Sequence, residues 1–274
     1  MSDKRQFHWS GIGMYTRCPE QFRRRYLCGE RIKPGVALIT GSSVHKAAEV
    51  DLTRKMETGK LCDVEEVKDA ARDYLSDAFD SEDYEIREDE LVDDSEKKTK
   101  GVIIDTAIDL AELHHKELAP LVTPIAVERP WVVDIKGYPY ALAGQIDVDE
   151  GSNIIDWKTS AKTPNQAVAD QSGQITMYCM AHWALGQDKI VPTAQLGFIV
   201  KLKTPKSLIL STTRTVEDFQ PILRCVERVC DAVDKEVFPF AACMSPRPWW
   251  CSPKCCGYYN TCEGVCTKTS VHFE

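Results

Sequence analysis

The sequence has no uninterrupted apolar run near the roughly 18 residues that a membrane-spanning helix requires, which excludes an obvious transmembrane segment. The stretch from Met1 to Phe22 is charged and lacks an apolar h-region, so no secretory leader is read there, and an intracellular, cytoplasmic protein is expected. Repeats and low-complexity tracts are missing, which argues against a solenoid or a disordered chain. An excess of basic residues is missing too. The net charge is −8, whereas nucleic-acid-binding domains commonly carry a basic footprint. The deficit is local: Asp80 to Glu96 is densely acidic, while basic clusters persist at Arg23–Arg25, Lys158 with Lys162, and Lys201, Lys203 and Lys206. A centre built to hold divalent cations also needs carboxylates, so the overall sign excludes little.

What remains is an ordinary globular composition, with 43% hydrophobic and 28% charged residues in 274 positions. Cysteine stands out. In a reducing compartment the twelve cysteines are not expected to form a disulfide framework. Seven are scattered singly and read as small buried apolar residues. Five crowd the tail at Cys251, Cys255, Cys256, Cys262 and Cys266, a concentration that core packing does not account for.

The chain reads as helices, an antiparallel meander, a helix, two strands and a helix. The first helix is expected over about Ser10–Leu27, capped by Ser10. A second opens at Gly41-Ser42-Ser43-Val44-His45, capped by either serine. Alanine, leucine, glutamate and lysine then favour helix to about Leu121, with the acidic stretch a solvated loop or helix face. Strands are expected over Ile125–Ile135, Tyr140–Asp149 and Asn153–Lys158, with Glu150-Gly151 as a two-residue turn between the last two. Ala167–Leu185 reads as a helix, Ala194–Lys203 and Ser207–Thr213 as strands, and Val216–Val237 as a final helix. This is an α/β core with helical additions on its N-terminal side.

The chemistry lies in the hairpin. Side chains alternate along a strand, so Asp156 and Lys158 share one face while Ile155 and Trp157 point to the other. A two-residue turn pairs Asp147 with Ile154 and sets Asp147 on the face of Asp156, diagonal to it at roughly 7–8 Å. Any even turn preserves that parity. Two converging carboxylates are a hard-cation site for Mg²⁺ or Mn²⁺, and a lysine one step beyond is suited to orienting or deprotonating an attacking water. The competing reading is a surface hairpin with an ordinary Asp–Lys pair.

Gly144-Gln145-Ile146-Asp147, followed by Ile155-Asp156-Trp157-Lys158-Thr159, resembles the PD-(D/E)XK nuclease superfamily, specifically its RecB-like branch. Gly41-x-x-x-His45 is similar to that branch's upstream metal-ligand histidine. Glu128 sits where its pattern often has an acid, and Gln174-x-x-x-Tyr178 resembles its glutamine–tyrosine helix. Tyr15-Thr16-Arg17-Cys18-Pro19, with Phe22 and Tyr26, looks like the N-terminal segment of its iron–sulfur members, a group that includes CRISPR-adaptation exonucleases and related phage or prokaryotic enzymes. The resemblance implies a restriction-endonuclease-like core, a mixed sheet flanked by helices, in one domain over 1–274. A helical insertion is expected over about 46–123, with a cysteine segment at about 243–266 closing onto residues 10–28.

It also implies one or two Mg²⁺ or Mn²⁺ ions held by His45, Asp147, Asp156 and the carbonyl of Trp157, with Lys158 acting on water and Gln174 and Tyr178 completing the catalytic set. Cys251, Cys256 and Cys262 would join Cys18 around a [4Fe–4S] cluster, zinc being the alternative. Cys255 and Cys256 compete for one position, Cys256 keeping the family's gap to Cys262, and Cys266 is a further candidate. Arg23, Arg24, Arg25 and Tyr26 are expected to contact DNA. The implied activity is a DNA exonuclease favouring single-stranded ends. The other reading is a non-catalytic accessory protein of recombination or CRISPR adaptation that acts through protein partners.

Overall fold

A computed structural model describes residues 4–266. The strands are β1 (Arg5–Phe7), β2 (Ala126–Asp134), β3 (Tyr140–Asp149), β4 (Asn153–Ser160), β5 (Thr193–Val200) and β6 (Lys206–Thr212). The helices are α1 (Trp9–Arg17), α2 (Pro19–Phe22), α3 (Val36–Thr58), α4 (Val64–Asp80), α5 (Glu96–Leu113), α6 (Ala167–Asp170), α7 (Gly173–Leu185), α8 (Phe219–Asp234) and α9 (Glu263–Cys266). The chain divides into two compact units, residues 1–6 with 33–220, and residues 7–32 with 221–274.

The larger unit is built on a mixed sheet. Its order is β1-β3-β4-β5-β6, with β2 also paired to β3. β2–β3, β3–β4 and β5–β6 run antiparallel, whereas β4 and β5 are parallel. The parallel pair requires a crossover, and α6 with α7 supplies it, as the helical pattern between the strands demands.

Val148, Ile155 and Trp157 point to one face of the sheet, where Val44, Ala48 and Leu52 of α3 and Leu110 of α5 pack on them in one buried cluster. Trp157 is central to it. Its ring lies over Gly197, its register partner on β5, where a Cβ would stand 2.1 Å from Cζ3. His114 meets the ring edge-on at 4.6 Å, fully buried, and burial lowers its pKa to about 3, so the imidazole is neutral. α4 buries Val67, Ala71, Leu75 and Phe79, a four-residue repeat that fixes one helix face inward.

Several boundaries differ from those read in the sequence. The first helix breaks at Cys18, extended at φ −155°, because Pro19 disfavours helical backbone in the residue before it. Ser10 lies inside α1 and caps nothing; the N-cap is His8. Likewise α3 begins at Val36, a turn and a half before Ser42, with Gly35 as N-cap, and Ser43 Oγ donates to the carbonyl of Thr40. The helix expected over 167–185 is interrupted, with Ser172 capping α7 by accepting from the Ile175 amide. The acidic stretch is loop with one short 3₁₀ turn at Glu88–Glu90.

The smaller unit joins α1 and α2 to α8 and the tail. Tyr15 Oη donates to the Val237 carbonyl, its ring meets Phe22 edge-on at 5.6 Å, and Tyr258 Oη donates to the Glu30 carbonyl at 2.6 Å. None of the eleven cysteines whose side chains are described is in a disulfide. No helix of the described residues is long and apolar enough to cross a membrane.

Gly197→Ala is expected to destabilise the larger unit by about 1–3 kcal/mol, since the methyl group overpacks the Trp157 ring. Urea unfolding followed by tryptophan fluorescence checks this; an unchanged midpoint would remove Trp157 from its place as the packing centre.

Candidate active site

The β3–β4 register pairs Val148 with Ile155 and Asp149 with Ile154, so the connection spans four residues, 150–153, rather than two. Parity survives and Asp147 stays on the face of Asp156, but the diagonal relation does not. The same register extended one step sets the two aspartates directly opposite. On the other edge of β3, Val127 pairs with Val148 and Arg129 with Ile146, and this register sets Glu128 opposite Asp147. Three carboxylates therefore stand at one level on three adjacent strands. The ladder is interrupted there. Glu128 adopts the left-handed conformation at φ +48°, which non-glycine residues avoid unless their surroundings hold them. On β4 the amide of Trp157 donates to Asp147 Oδ2 at 2.8 Å instead of to a strand carbonyl.

His45 arrives from α3. Its Nδ1 is 3.4 Å from Asp147 Oδ2, and it also hydrogen-bonds the backbone of Trp157. Gly41, one turn earlier, lets α3 approach β4: a Cβ there would lie 3.0 Å from Thr159 Oγ1. His45, Glu128 and Asp147 present ligand atoms within 4.8 Å of one another, the one such group among the described residues. Asp156 Oδ2 pairs with Lys158 Nζ at 2.7 Å. Its Oδ1 accepts from Gln174 Nε2 at 3.2 Å, and the same amide donates to Tyr178 Oη at 2.7 Å. Gln174, Tyr178 and His182 recur every fourth residue of α7. They form one stripe over the sheet, with His182 3.6 Å from the buried Asp149 that Arg129 also pairs.

The electrostatics follow from crowding. Burial, then the Asp156 carboxylate, pushes the Asp147 pKa well above the carboxylate range. Burial, then Glu49, raises Glu128 to about 7. His45 is lowered, by burial first and Lys158 second, and is a neutral donor set at physiological pH. Tyr178 is raised by burial and then by Asp156, so its phenol keeps its proton. A neutral imidazole and oxygen donors that repel one another when ionised suit a hard divalent cation, whose charge removes the repulsion.

Of the residues singled out in the sequence, His45, Asp147, Asp156, Trp157, Lys158, Gln174 and Tyr178 thus converge. Glu128 belongs beside them by geometry, although it was not among the expected ligands. In the sequence Glu128 is marked only by the resemblance, as an acid before the hairpin; the left-handed backbone that sets it beside Asp147 is seen only in the fold.

The cysteines lie in the smaller unit. Cys18 occupies the break between α1 and α2. Cys256 is within electrostatic range of Cys18, Cys262 and Cys251, and Cys251 of Cys18 and Cys262. Cys255 is exposed and in neither set. Cys266's side chain lies outside those described. Arg23 forms a two-point ion pair with Glu20, 2.7 Å in each arm, and Arg24 pairs with Glu30 and covers the Tyr258 ring at 4.6 Å. Arg25 and Tyr26 are exposed.

Comparison with known proteins follows this geometry. The structure of a protein described as a "putative exonuclease" from Eubacterium rectale matches with a TM-score of 0.56 at 14% identity, covering 92% of this chain and 88% of that one, and so shares the fold. A structure of SSO0001 aligns at a TM-score of 0.37 and 16% identity, over 70% of this chain and 96% of the other, too low to bear on the argument. No curated protein matches the sequence. The sequence profile of the PD-(D/E)XK nuclease superfamily matches residues 9–263, nearly the whole chain and both of its units, and the chain belongs to that superfamily.

Proposed function

We propose that this nuclease is a Mg²⁺- or Mn²⁺-dependent DNA exonuclease acting at single-stranded ends. The observation that carries the hydrolytic part is the row of three carboxylates beside a neutral histidine, with Lys158 on its flank. His45, Glu128 and Asp147 would hold an ion, with Asp156 and the Trp157 carbonyl as further oxygen donors. A bound ion supplies Lewis acidity toward a phosphoryl oxygen and a lowered pKa for water. The protein's own part is positional. Asp147 and His45 are tied to the Trp157 backbone and keep that peptide in place. Gln174 fixes one oxygen of Asp156 and leaves the other to Lys158, whose ammonium is suited to orienting water and to stabilising charge on the phosphate. The single-strand and end preferences rest on the family resemblance.

The cofactor reading extends to the tail. Cys18, Cys251, Cys256 and Cys262 would carry a [4Fe–4S] cluster with a structural role, since hydrolysis moves no electrons. Four thiolates on one zinc, about 2.3 Å from the ion, sit roughly 3.8 Å apart. Among the described residues these thiols form no group close enough to hold a single ion, which favours the larger cluster over zinc. The electrostatic proximity of Cys256, and not Cys255, to the other three supports Cys256 as the middle ligand. Arg25 and Tyr26 are the exposed members of the expected DNA-contacting set, Arg25 over the Tyr26 ring and that ring against Phe22; Arg23 and Arg24 are already neutralised by Glu20 and Glu30. Association with recombination or CRISPR-adaptation proteins remains the accessory reading, and the paired Asp156 and Lys158 count against a purely non-catalytic version of it.

Lys158→Ala is expected to slow hydrolysis of end-labelled DNA by about 10²–10⁴-fold in Mg²⁺ or Mn²⁺ while KM changes little. Equal rates for variant and wild type would sink the assignment. In metal-free protein, the raised pKa of Glu128 sets the direction of a pH effect. The fold favours its neutral form, so this contribution is complete below about pH 4.5 and is lost as pH rises through about 7. Between about pH 5 and 8, the melting temperature of wild type should fall relative to Glu128→Gln, and Mg²⁺ should restore it most at the alkaline end. A parallel pH course for the two proteins would refute this. Anaerobically purified Cys18→Ser and Cys256→Ser should lose iron and the visible absorbance of the cluster, and Cys255→Ser should keep both. Full iron in Cys256→Ser would move the ligand to another thiol.

A further inference from the structure

The cleft that contains the carboxylates is larger than an ion needs. It has a volume of about 660 Å³ and extends from His45, Glu128 and Lys158 to two side chains with no part in the hydrolytic set, Leu38 and Tyr74. Both are apolar groups left in solvent, Leu38 63% and Tyr74 36% exposed. They come from different helices. Tyr74 sits on α4 just off the inward stripe of Val67, Ala71, Leu75 and Phe79. Leu38 sits in the first turn of α3, between the buried Val36 and Ile39.

Isolated exposed apolar side chains are ordinary and need no explanation. Two that converge from separate helices on the cleft lined by His45, Glu128 and Lys158 are a different case. The floor between them and the carboxylates is cleared by small residues, Ala37, Gly41 and Ser42, on the same side of α3 as His45. Along α3 the seven residue steps from Leu38 to His45 span roughly 10 Å, within a short run of nucleotides stacked at about 3.4 Å. Lys46 and Lys158 on the cleft wall, paired with Glu49 and Asp156, are the cations within reach of a phosphate backbone.

We infer that Tyr74, backed by Leu38, is a stacking platform for an unpaired nucleobase of the strand whose phosphate lies at the carboxylates. A flat aromatic face accepts any base, so the contact is tolerant of sequence. It discriminates by strandedness, because in a duplex both faces of each internal base are already covered by its neighbours. The inference rests on the nuclease reading and gives single-strand preference a physical source in the larger unit, independent of Arg25 and Tyr26.

The test uses the full-length protein with Lys158→Ala in every arm, in Mg²⁺, so that binding is read without turnover. Single-stranded oligonucleotides carry 2-aminopurine near one end or the other, and a duplex of the same sequence serves as comparison. Adding Tyr74→Ala should weaken single-strand binding by about 5- to 100-fold and abolish the stacking-induced quenching of 2-aminopurine, with duplex affinity changed less than about twofold. Tyr74→Phe should retain both quenching and affinity, and Leu38→Ser should weaken single-strand binding in the same direction. Unchanged single-strand affinity in Tyr74→Ala overturns the platform, as does an equal loss on single strand and duplex. Turnover by the protein with Lys158 intact is measured on the same oligonucleotides. Hydrolysis that is indifferent to Tyr74→Ala removes only the platform; absence of both hydrolysis and DNA binding removes the nuclease reading with it.

Discussion

Glu128, Asp147 and Asp156 stand side by side on three strands of one sheet, largely out of water, and their mutual repulsion is the constraint around which the larger unit is arranged. A sheet ordinarily alternates buried apolar with exposed polar positions, and carboxylates at one level on adjacent strands oppose its stability. The neighbouring features offset that cost. The Trp157 amide leaves the ladder for Asp147, Gln174 takes one oxygen of Asp156, and Lys158 takes the other. Glu128 inverts its backbone and lies against the Gln145 amide. A divalent cation would offset the repulsion that remains.

Trp157 couples that arrangement to the core. Its amide and its backbone contact with His45 lie at the site, while its ring is sealed under α3 and α5, on Gly197 and against His114. The register of β4 against β5 is therefore also the register of the site. A one-residue slip would put the ring in solvent and the aspartate in the apolar layer, which is why burial on both faces specifies this strand strongly. The smaller unit is organised differently. Aromatic contacts among Tyr15, Phe22 and Phe238, and the Tyr258–Glu30 hydrogen bond, join residues more than two hundred positions apart. Four thiols gather in the same unit.

Much of the larger unit was legible in the order of residues. The strands of the meander, the crossover helix and the face shared by Asp147, Asp156 and Lys158 all follow from alternation and turn composition, because strand parity survives any even-length turn. Helix starts were less legible. Ser10 and Ser43 look like caps in the sequence but lie inside helices that begin earlier, at Trp9 and Val36. Arg23 and Arg24 look like a free basic patch, yet Glu20 lies one helical turn before Arg23 and the folded loop brings Glu30 to Arg24.

The sequence by itself determined which residues share a face: local patterning dictates the face on which a strand residue points, and the D-x-K hairpin with its upstream histidine needs no tertiary information to be found. The tertiary structure decided how they meet. The four-residue connection that turned a diagonal into a direct opposition, the left-handed Glu128 and the proximity of Cys256 rather than Cys255 to Cys18 are set by loop length, backbone strain and contacts distant in sequence. So is the cleft that runs on to Tyr74. None of these leaves a periodic trace, because each depends on where a second segment stands and not on the spacing within the first.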